Sequence, residues 1–134
     1  MNAPASGVRA TRQRAAILAL LDRTDRFRSA QSIFDELRAD GHGIGLTTVY
    51  RTLQALVAGE VVDVLRSPAG ESLYRRCETE EQHHHLVCRR CGIAAEIPGP
   101  VVEAWAREAA AHHGFSELSR TLEVFGLCRL CGTR

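Results

Sequence analysis

Thr47-Thr48-Val49-Tyr50-Arg51-Thr52-Leu53-Gln54-Ala55-Leu56-Val57-Ala58 is the stretch that decides the reading of the N-terminal half. Val49, Leu53, Leu56 and Val57 recur at the spacing of one helix face, and Gly59 stands where a left-handed cap would end the helix. The apolar period then drops to two. Val61 to Leu65 reads as a strand, Ser67-Pro68-Ala69-Gly70 as a turn, and Glu71 to Arg76 as the returning strand. Upstream, Ile17, Leu18 and Leu21 predict a helix from an N-cap at Thr11 to about Asp22. Ala30, Ile33, Phe34 and Leu37 predict a second helix after Ser29, and Gly41, Gly43 and Gly45 break the chain before the third. Three helices followed by a β-hairpin describe a winged helix-turn-helix, whose third helix enters the DNA major groove. The same elements also suit a helical core with a hairpin and no nucleic-acid role.

The charge distribution is uneven. Residues 1–76 carry 11 Arg against 8 Asp and Glu, while residues 77–134 carry 6 against 8. Lysine is absent, so every fixed positive side chain is a guanidinium. Arg9, Arg12 and Arg14 precede the first acid, Asp22, which makes the N-terminal arm locally basic and suited to phosphate or minor-groove contact, or simply to solvent. No apolar run approaches the roughly 20 residues that span a bilayer, so no membrane partner is expected. The first residues have neither a charged n-region nor an apolar h-region, which points to the cytoplasm.

Beyond Cys77 the composition shifts. Residues 78–82 are polar and acidic and read as a linker; a short strand leads into Cys88, and another covers Ala94 to Ile97. Pro100 opens a helix whose buried face is expected at Val102, Trp105, Ala106 and Ala109, with Gly114 ending it. Ser119 to Phe125 reads as a strand running to the last cysteines.

Five thiols and three consecutive imidazoles crowd this region. Cys88–Cys91 and Cys128–Cys131 are two Cys-x-x-Cys pairs, and two intervening residues let a tight turn aim both sulfurs at one ion. Four thiolates suit a closed tetrahedral structural Zn²⁺ site. Disulfides are disfavoured in a reducing compartment and would leave an odd cysteine. The remaining ligands are Cys77, His83, His84 and His85. In an extended segment His83 and His85 share one face, and the strand ending at Cys77 should pair with the strand holding Asp63. Asp63, Cys77, His83 and His85 thus make a second four-coordinate set suited to Zn²⁺, closed and therefore binding rather than catalytic. Two zinc ions per chain are expected. A solvated polar histidine run is the bland alternative.

On the predicted third helix, Thr47, Thr48, Tyr50, Arg51 and Gln54 remain for the groove once the apolar residues face the core. Arginine can bond guanine or grip a phosphate, and an aromatic edge or a threonine methyl can meet thymine. A zinc hydrolase or deaminase would need an open coordination position and an H-x-E…P-C-x-x-C pattern. Neither the H-x-E nor the proline is present. The chain is not expected to be an enzyme.

Ala10-Thr11-Arg12-Gln13-Arg14, Phe27-Arg28-Ser29-Ala30-Gln31, Gly45-Leu46-Thr47-Thr48-Val49-Tyr50-Arg51-Thr52-Leu53, Gly70-Glu71-Ser72, Tyr74-Arg75-Arg76-Cys77 and His83-His84-His85-Leu86-Val87-Cys88 resemble the ferric uptake regulator superfamily, most closely its actinobacterial zinc uptake branch. The resemblance runs from about Ala10 to Cys131. It implies an α+β chain: a winged-helix DNA-binding domain over residues 1–77, a hinge over 78–83, and a small α/β dimerisation and metal-binding domain over 84–134. Cys88, Cys91, Cys128 and Cys131 would hold structural zinc, and the regulatory site would fall on Asp63, Cys77, His83 and His85. Iron- and peroxide-sensing relatives generally lack a cysteine at the regulatory site, so Cys77 favours zinc.

The implied function is a zinc-responsive repressor that binds near-palindromic operator DNA as a zinc-loaded homodimer and controls zinc uptake and homeostasis genes. Arg12, Thr47, Thr48, Tyr50 and Arg51 would be the DNA contacts. An iron-, nickel- or peroxide-sensing regulator of the same superfamily is the alternative. The chain departs from its branch at a further metal site whose ligands would fall at Gln82, His84, Glu103 and Arg120. Two ligands are gone and one is a permanent cation, so His84 and Glu103 are expected to be the remnant of an unoccupied site, with Arg120 pairing Glu103.

Overall fold

The computed structural model describes residues 2–77, 84–118 and 122–132, residues 2–6 by backbone alone. The chain divides into two units, Met1–Glu78 and Thr79–Arg134. The expected hinge at 78–83 lies outside the described residues, as does Arg120.

The first unit runs α1 (Asn2–Leu21), β1 (Arg28–Ser29), α2 (Ala30–Ala39), α3 (Leu46–Ala58), β2 (Val62–Arg66) and β3 (Ser72–Arg76). Three apolar stripes meet in one core. Ile17, Leu20 and Leu21 of α1, Ala30, Ile33 and Leu37 of α2, and Val49, Leu53 and Leu56 of α3 are buried with Val62 and Tyr74 of the hairpin. Burying a side chain of this size contributes about 1.5–3 kcal/mol, so this core is what makes the unit fold. The sheet order is β1-β3-β2, with Val64 opposite Tyr74 and Asp63 opposite Arg75. Arg75 is itself buried and donates from Nε to the Asp25 carbonyl at 2.9 Å, with its guanidinium 5.9 Å from the Phe27 ring. It ties the wing to the segment before α2.

Several helix ends follow from local chemistry. Ser29 caps α2 by accepting the Ser32 N–H at 3.0 Å, as the sequence predicts. Thr11 does not cap α1. The helix begins nine residues earlier, at Asn2, and the Thr11 hydroxyl donates back to the Gly7 carbonyl at 3.0 Å. Pro4 falls within the first turn, where a missing N–H costs no helical hydrogen bond, so nothing halts the helix there. Gly59 is not left-handed either, with φ −85°. The left-handed residue is Glu60, φ 59°, because the Glu60 N–H reaches the Val57 carbonyl at 3.0 Å and the Val61 N–H reaches Leu56 at 2.9 Å. That pair of bonds is the Schellman closure, displaced by one residue from the glycine.

The second unit runs β4 (His84–Cys88), β5 (Ala94–Ile97), α4 (Gly99–His113), β6 (Glu123–Gly126) and α5 (Arg129–Gly132). β4 is central, antiparallel to β5 and parallel to β6. Gly114, at φ 79°, ends α4 as expected. The expected strand from Ser119 to Phe125 begins only at Glu123, and residues 119–121 lie outside the described residues. Trp105 is a correction: expected on the buried face, it is 66% exposed, and along α4 Gly99 and Val102 are the buried residues. The short α5 carries too few residues for any periodicity to announce it.

The displaced closure is testable by urea unfolding. A methyl at Gly59 would meet the Ala55 carbonyl at 3.5 Å, an ordinary contact, so Gly59→Ala should stabilise by up to about 1 kcal/mol. Glu60→Val should cost about 1–2 kcal/mol, since a β-branched residue resists positive φ. The opposite ranking would return the left-handed position to Gly59.

Candidate metal centres and nucleic-acid face

Cys88 ends the central strand β4, and a turn closed by Gly92, φ 82°, brings Cys91 round beside it. The Gly92 N–H donates to the Cys88 carbonyl at 2.9 Å, and the Cys88 N–H to Ile93 at 2.8 Å. On the other side, β6 delivers Cys128, whose N–H donates to Cys88 Sγ at 3.4 Å, and α5 carries Cys131. All four sulfurs lie within 4.8 Å of one another, with Cys91 and Cys128 at 3.8 Å. A zinc–sulfur bond of ~2.3 Å implies a tetrahedral edge of roughly 3.8 Å, so the quartet has the dimensions of a zinc site.

The local electrostatics agree. Backbone N–H bonding, from Cys91 foremost and also from Cys128 and Arg90, brings the Cys88 thiol down to about 5 against the opposing effect of burial. Cys128 is lowered by the Cys131 backbone. Cys131 is pushed up to about 12, first by its hydrogen bond with the Cys128 sulfur and then by burial and the other two sulfurs. Four sulfurs this close cannot all carry negative charge unless a cation sits among them.

The second predicted set is present in part. β2 and β3 pair so that Cys77, just past β3, donates its N–H to the Val61 carbonyl at 3.0 Å. Its Sγ lies 2.8 Å from Asp63 Oδ1 on the neighbouring strand. A thiol and a carboxylate thus stand side by side on the wing. His85 is buried on β4 of the other unit, and His83 lies outside the described residues. Among the described residues, the four cysteines are the cluster of three or more ligands.

His84 is wholly buried, and its Nδ1 accepts the Leu122 N–H at 2.9 Å. A neutral imidazole that accepts at Nδ1 carries its proton on Nε2 and has no second lone pair for a cation. That Nε2 has no hydrogen-bond partner among the described residues. Glu103 lies half-buried on α4. This tautomer does not fit a ligand role for His84.

On α3, Val49, Leu53 and Leu56 turn to the core, which leaves Thr47, Tyr50, Arg51 and Gln54 exposed and Thr48 half-buried. Arg12 is exposed on α1. The residues expected at DNA therefore lie outside the core, on the helix the core holds in place. Removing the Cys quartet's metal with a strong chelator under reducing conditions, or substituting Cys128→Ser, should release about one zinc per chain by metal analysis. It should also unfold the second unit, because structural zinc contributes about 10–16 kcal/mol of folding free energy in small domains. Retention of that zinc in the variant would contradict the assignment.

No helix among the described residues is long and apolar enough to cross a membrane. The model of the ferric uptake regulator family matches residues 5–125. A zinc uptake regulation protein of Mycobacterium tuberculosis is 58% identical over 127 residues, 95% of this chain and 97% of that protein. The crystal structure of the zinc uptake regulator FurB from M. tuberculosis, also 58% identical, matches with a TM-score of 0.58 over 96% of this chain and 99% of that one. A zinc uptake regulator solved in complex with zinc and DNA matches at 29% identity and a TM-score of 0.69, over 96% of this chain and 91% of that one. With α2, α3, the wing and the first cysteine pair inside the matched span, the chain belongs to the ferric uptake regulator family.

Proposed function

We propose that this chain is a zinc-responsive transcriptional repressor that binds near-palindromic operator DNA as a homodimer and controls zinc uptake and homeostasis genes in the cytoplasm. The observation that carries the zinc assignment is the Cys77 thiol 2.8 Å from the Asp63 carboxylate on the wing. A thiolate beside an oxygen ligand favours Zn²⁺ over the harder cations that carboxylates and imidazoles alone would suit. The relatives named for zinc uptake, one of them solved with zinc and DNA, support the same reading.

Asp63 and Cys77 would supply ligands from the DNA-binding unit, and His83 and His85 from the other. Bound there, zinc would supply a closed coordination shell that links Asp63 and Cys77 to His83 and His85, constraining segment 78–83. Dimers with that segment constrained hold their two α3 helices in a narrower range of orientations, which favours binding to two half-sites at once. A coupling of about 1–3 kcal/mol would change operator affinity roughly 5- to 150-fold.

Dimerisation is supported by the apolar surface of the second unit. Val101, Trp105, Phe115 and Leu130 are 66% to 83% exposed, an unusual density for so small a unit to leave in water. The third metal site of the branch is not retained in this reading: Gln82 and Arg120 are not ligands, and the His84 lone pair is occupied.

Three measurements test these assignments. DNA binding titrated with Zn²⁺, Fe²⁺, Ni²⁺ and Mn²⁺ should respond to Zn²⁺ at the lowest concentration; a preference for Fe²⁺ would favour the iron-sensing alternative. Cys77→Ser should stay folded and dimeric yet lose zinc-dependent DNA binding, and a normal zinc response in that variant would remove Cys77 from the sensing site. Metal analysis of the purified wild type should give two firmly bound zinc ions per chain, whereas three would restore the missing site.

A further inference from the structure

The wing has two unlike faces. Val62 and Tyr74 turn into the helical core, and Arg76 shares their face by alternation, reaching Asp22 at 3.1 Å. The other face carries Asp63, Arg75 and Cys77. Asp63 and Arg75 are directly opposed across β2 and β3, an arrangement that puts Cβ atoms about 4.5–5.5 Å apart. Cys77 lies two residues beyond Arg75, still in the ladder through its N–H bond to the Val61 carbonyl, and its thiol donates to Asp63 Oδ1 at 2.8 Å. A guanidinium-bearing residue thus shares one small face with the thiol and the carboxylate.

That guanidinium is buried, with Arg75 only 5% exposed. Its Nε donates to the Asp25 carbonyl at 2.9 Å, and it lies 5.9 Å from the Phe27 ring. A neutral donor of similar length would serve the carbonyl as well. Burying a charge costs far more than burying a neutral amide, so the fold carries a cation that its own hydrogen bonding does not require. A buried charge is also poorly screened by salt, and it acts on its neighbours more strongly than a surface one.

We propose that Arg75 sets the zinc threshold of the wing site by opposing the metal. With Cys77 as a thiol the Asp63–Cys77 couple carries one negative charge, and with a thiolate two. With a divalent ion and two neutral imidazoles completing the shell, the sum is zero. A fixed cation beside the couple therefore attracts the empty site and gains nothing from the loaded one, so it shifts the balance toward empty. Lysine or histidine in its place could shed a proton to escape the metal, whereas a guanidinium cannot. The effect is roughly tenfold in zinc affinity, the lower end of what one opposite charge within a few ångströms does to a neighbour's equilibrium. If Arg75 only held β3 in place, its loss would loosen the ligands and weaken binding. The two roles have opposite signs.

This role presupposes the sensing site proposed above, and Cys77→Ser separates the two. Full-length protein with its cysteine quartet already loaded is titrated with Zn²⁺ against a chromogenic chelator, which reads the affinity of the second ion without DNA. The Cys77→Ser variant should lose that second ion and so identify the site. Arg75→Met and Arg75→Gln should bind it about tenfold more tightly than the wild type, and the zinc midpoint for DNA binding should fall by the same factor. Arg75→Lys, which keeps a charge, should stay near the wild type. Arg76→Met, on the other face, should match it.

Unchanged or weaker binding of the second ion in the neutral variants, with the quartet zinc and helical circular dichroism intact, would overturn the threshold role and leave the sensing site standing. One neutral variant that folds is enough to decide. Failure of both to fold beside a folded Arg75→Lys would make the charge a requirement of the fold and would also overturn it. If the wild type binds no second ion that depends on Cys77, the sensing site fails and the role of Arg75 fails with it.

Discussion

Four sulfurs packed within 4.8 Å of one another repel as soon as they ionise, and the second unit is built on the assumption that a cation removes that repulsion. Among the described residues of this unit, Val87 and Val102 are the buried aliphatic ones, alongside Cys88 and two histidines, far fewer than in the multi-helix core of the first unit. Sheets this small seldom bury enough surface to offset chain entropy. Here the central strand ends in one ligand, the turn after it carries another, and the outer strand and α5 bring the last pair. A metal held by this quartet would therefore clasp the strands together as well.

The first unit uses the opposite strategy. Its helices interlock through aliphatic side chains, and the hairpin joins the core through Val62 and Tyr74. Because that register is antiparallel and tied to the core, a slip by one residue would turn Val62 out to solvent and separate Asp63 from Cys77. The packing that holds α3 against the other helices thus also positions the thiol and the carboxylate. One core sets both the reading surface and half of the proposed sensor.

Charge is distributed with the same division of labour. Near the α1–α2 turn, Arg23, Arg28 and Arg76 are matched to Asp22, Glu36 and Asp40. Surface pairs of this kind contribute at most about 1 kcal/mol each, so the aliphatic core still carries the unit. Arg75 stands apart from them, buried across from Asp63. In the second unit the exposed feature is apolar instead, with Trp105 and Phe115 turned outward, as an association surface requires.

Local rules carried much of this molecule from residues alone. Helical periodicity placed α2, α3 and α4; alternation and turn chemistry placed the hairpin; and the x₂ spacing of the cysteines announced a quartet that the folded chain brings together. These signals act over a few residues, so a sequence can state them outright. What it could not state were choices between distant segments. The outward Trp105 depends on how little of α4 the rest of the chain buries, Gly99 and Val102 being its buried residues. The occupied lone pair of His84 depends on where the Leu122 N–H arrives, and the burial of Arg75 on where the Asp25 carbonyl and the Phe27 ring lie. Each is settled by packing between elements far apart in the chain, where sequence spacing carries no distance.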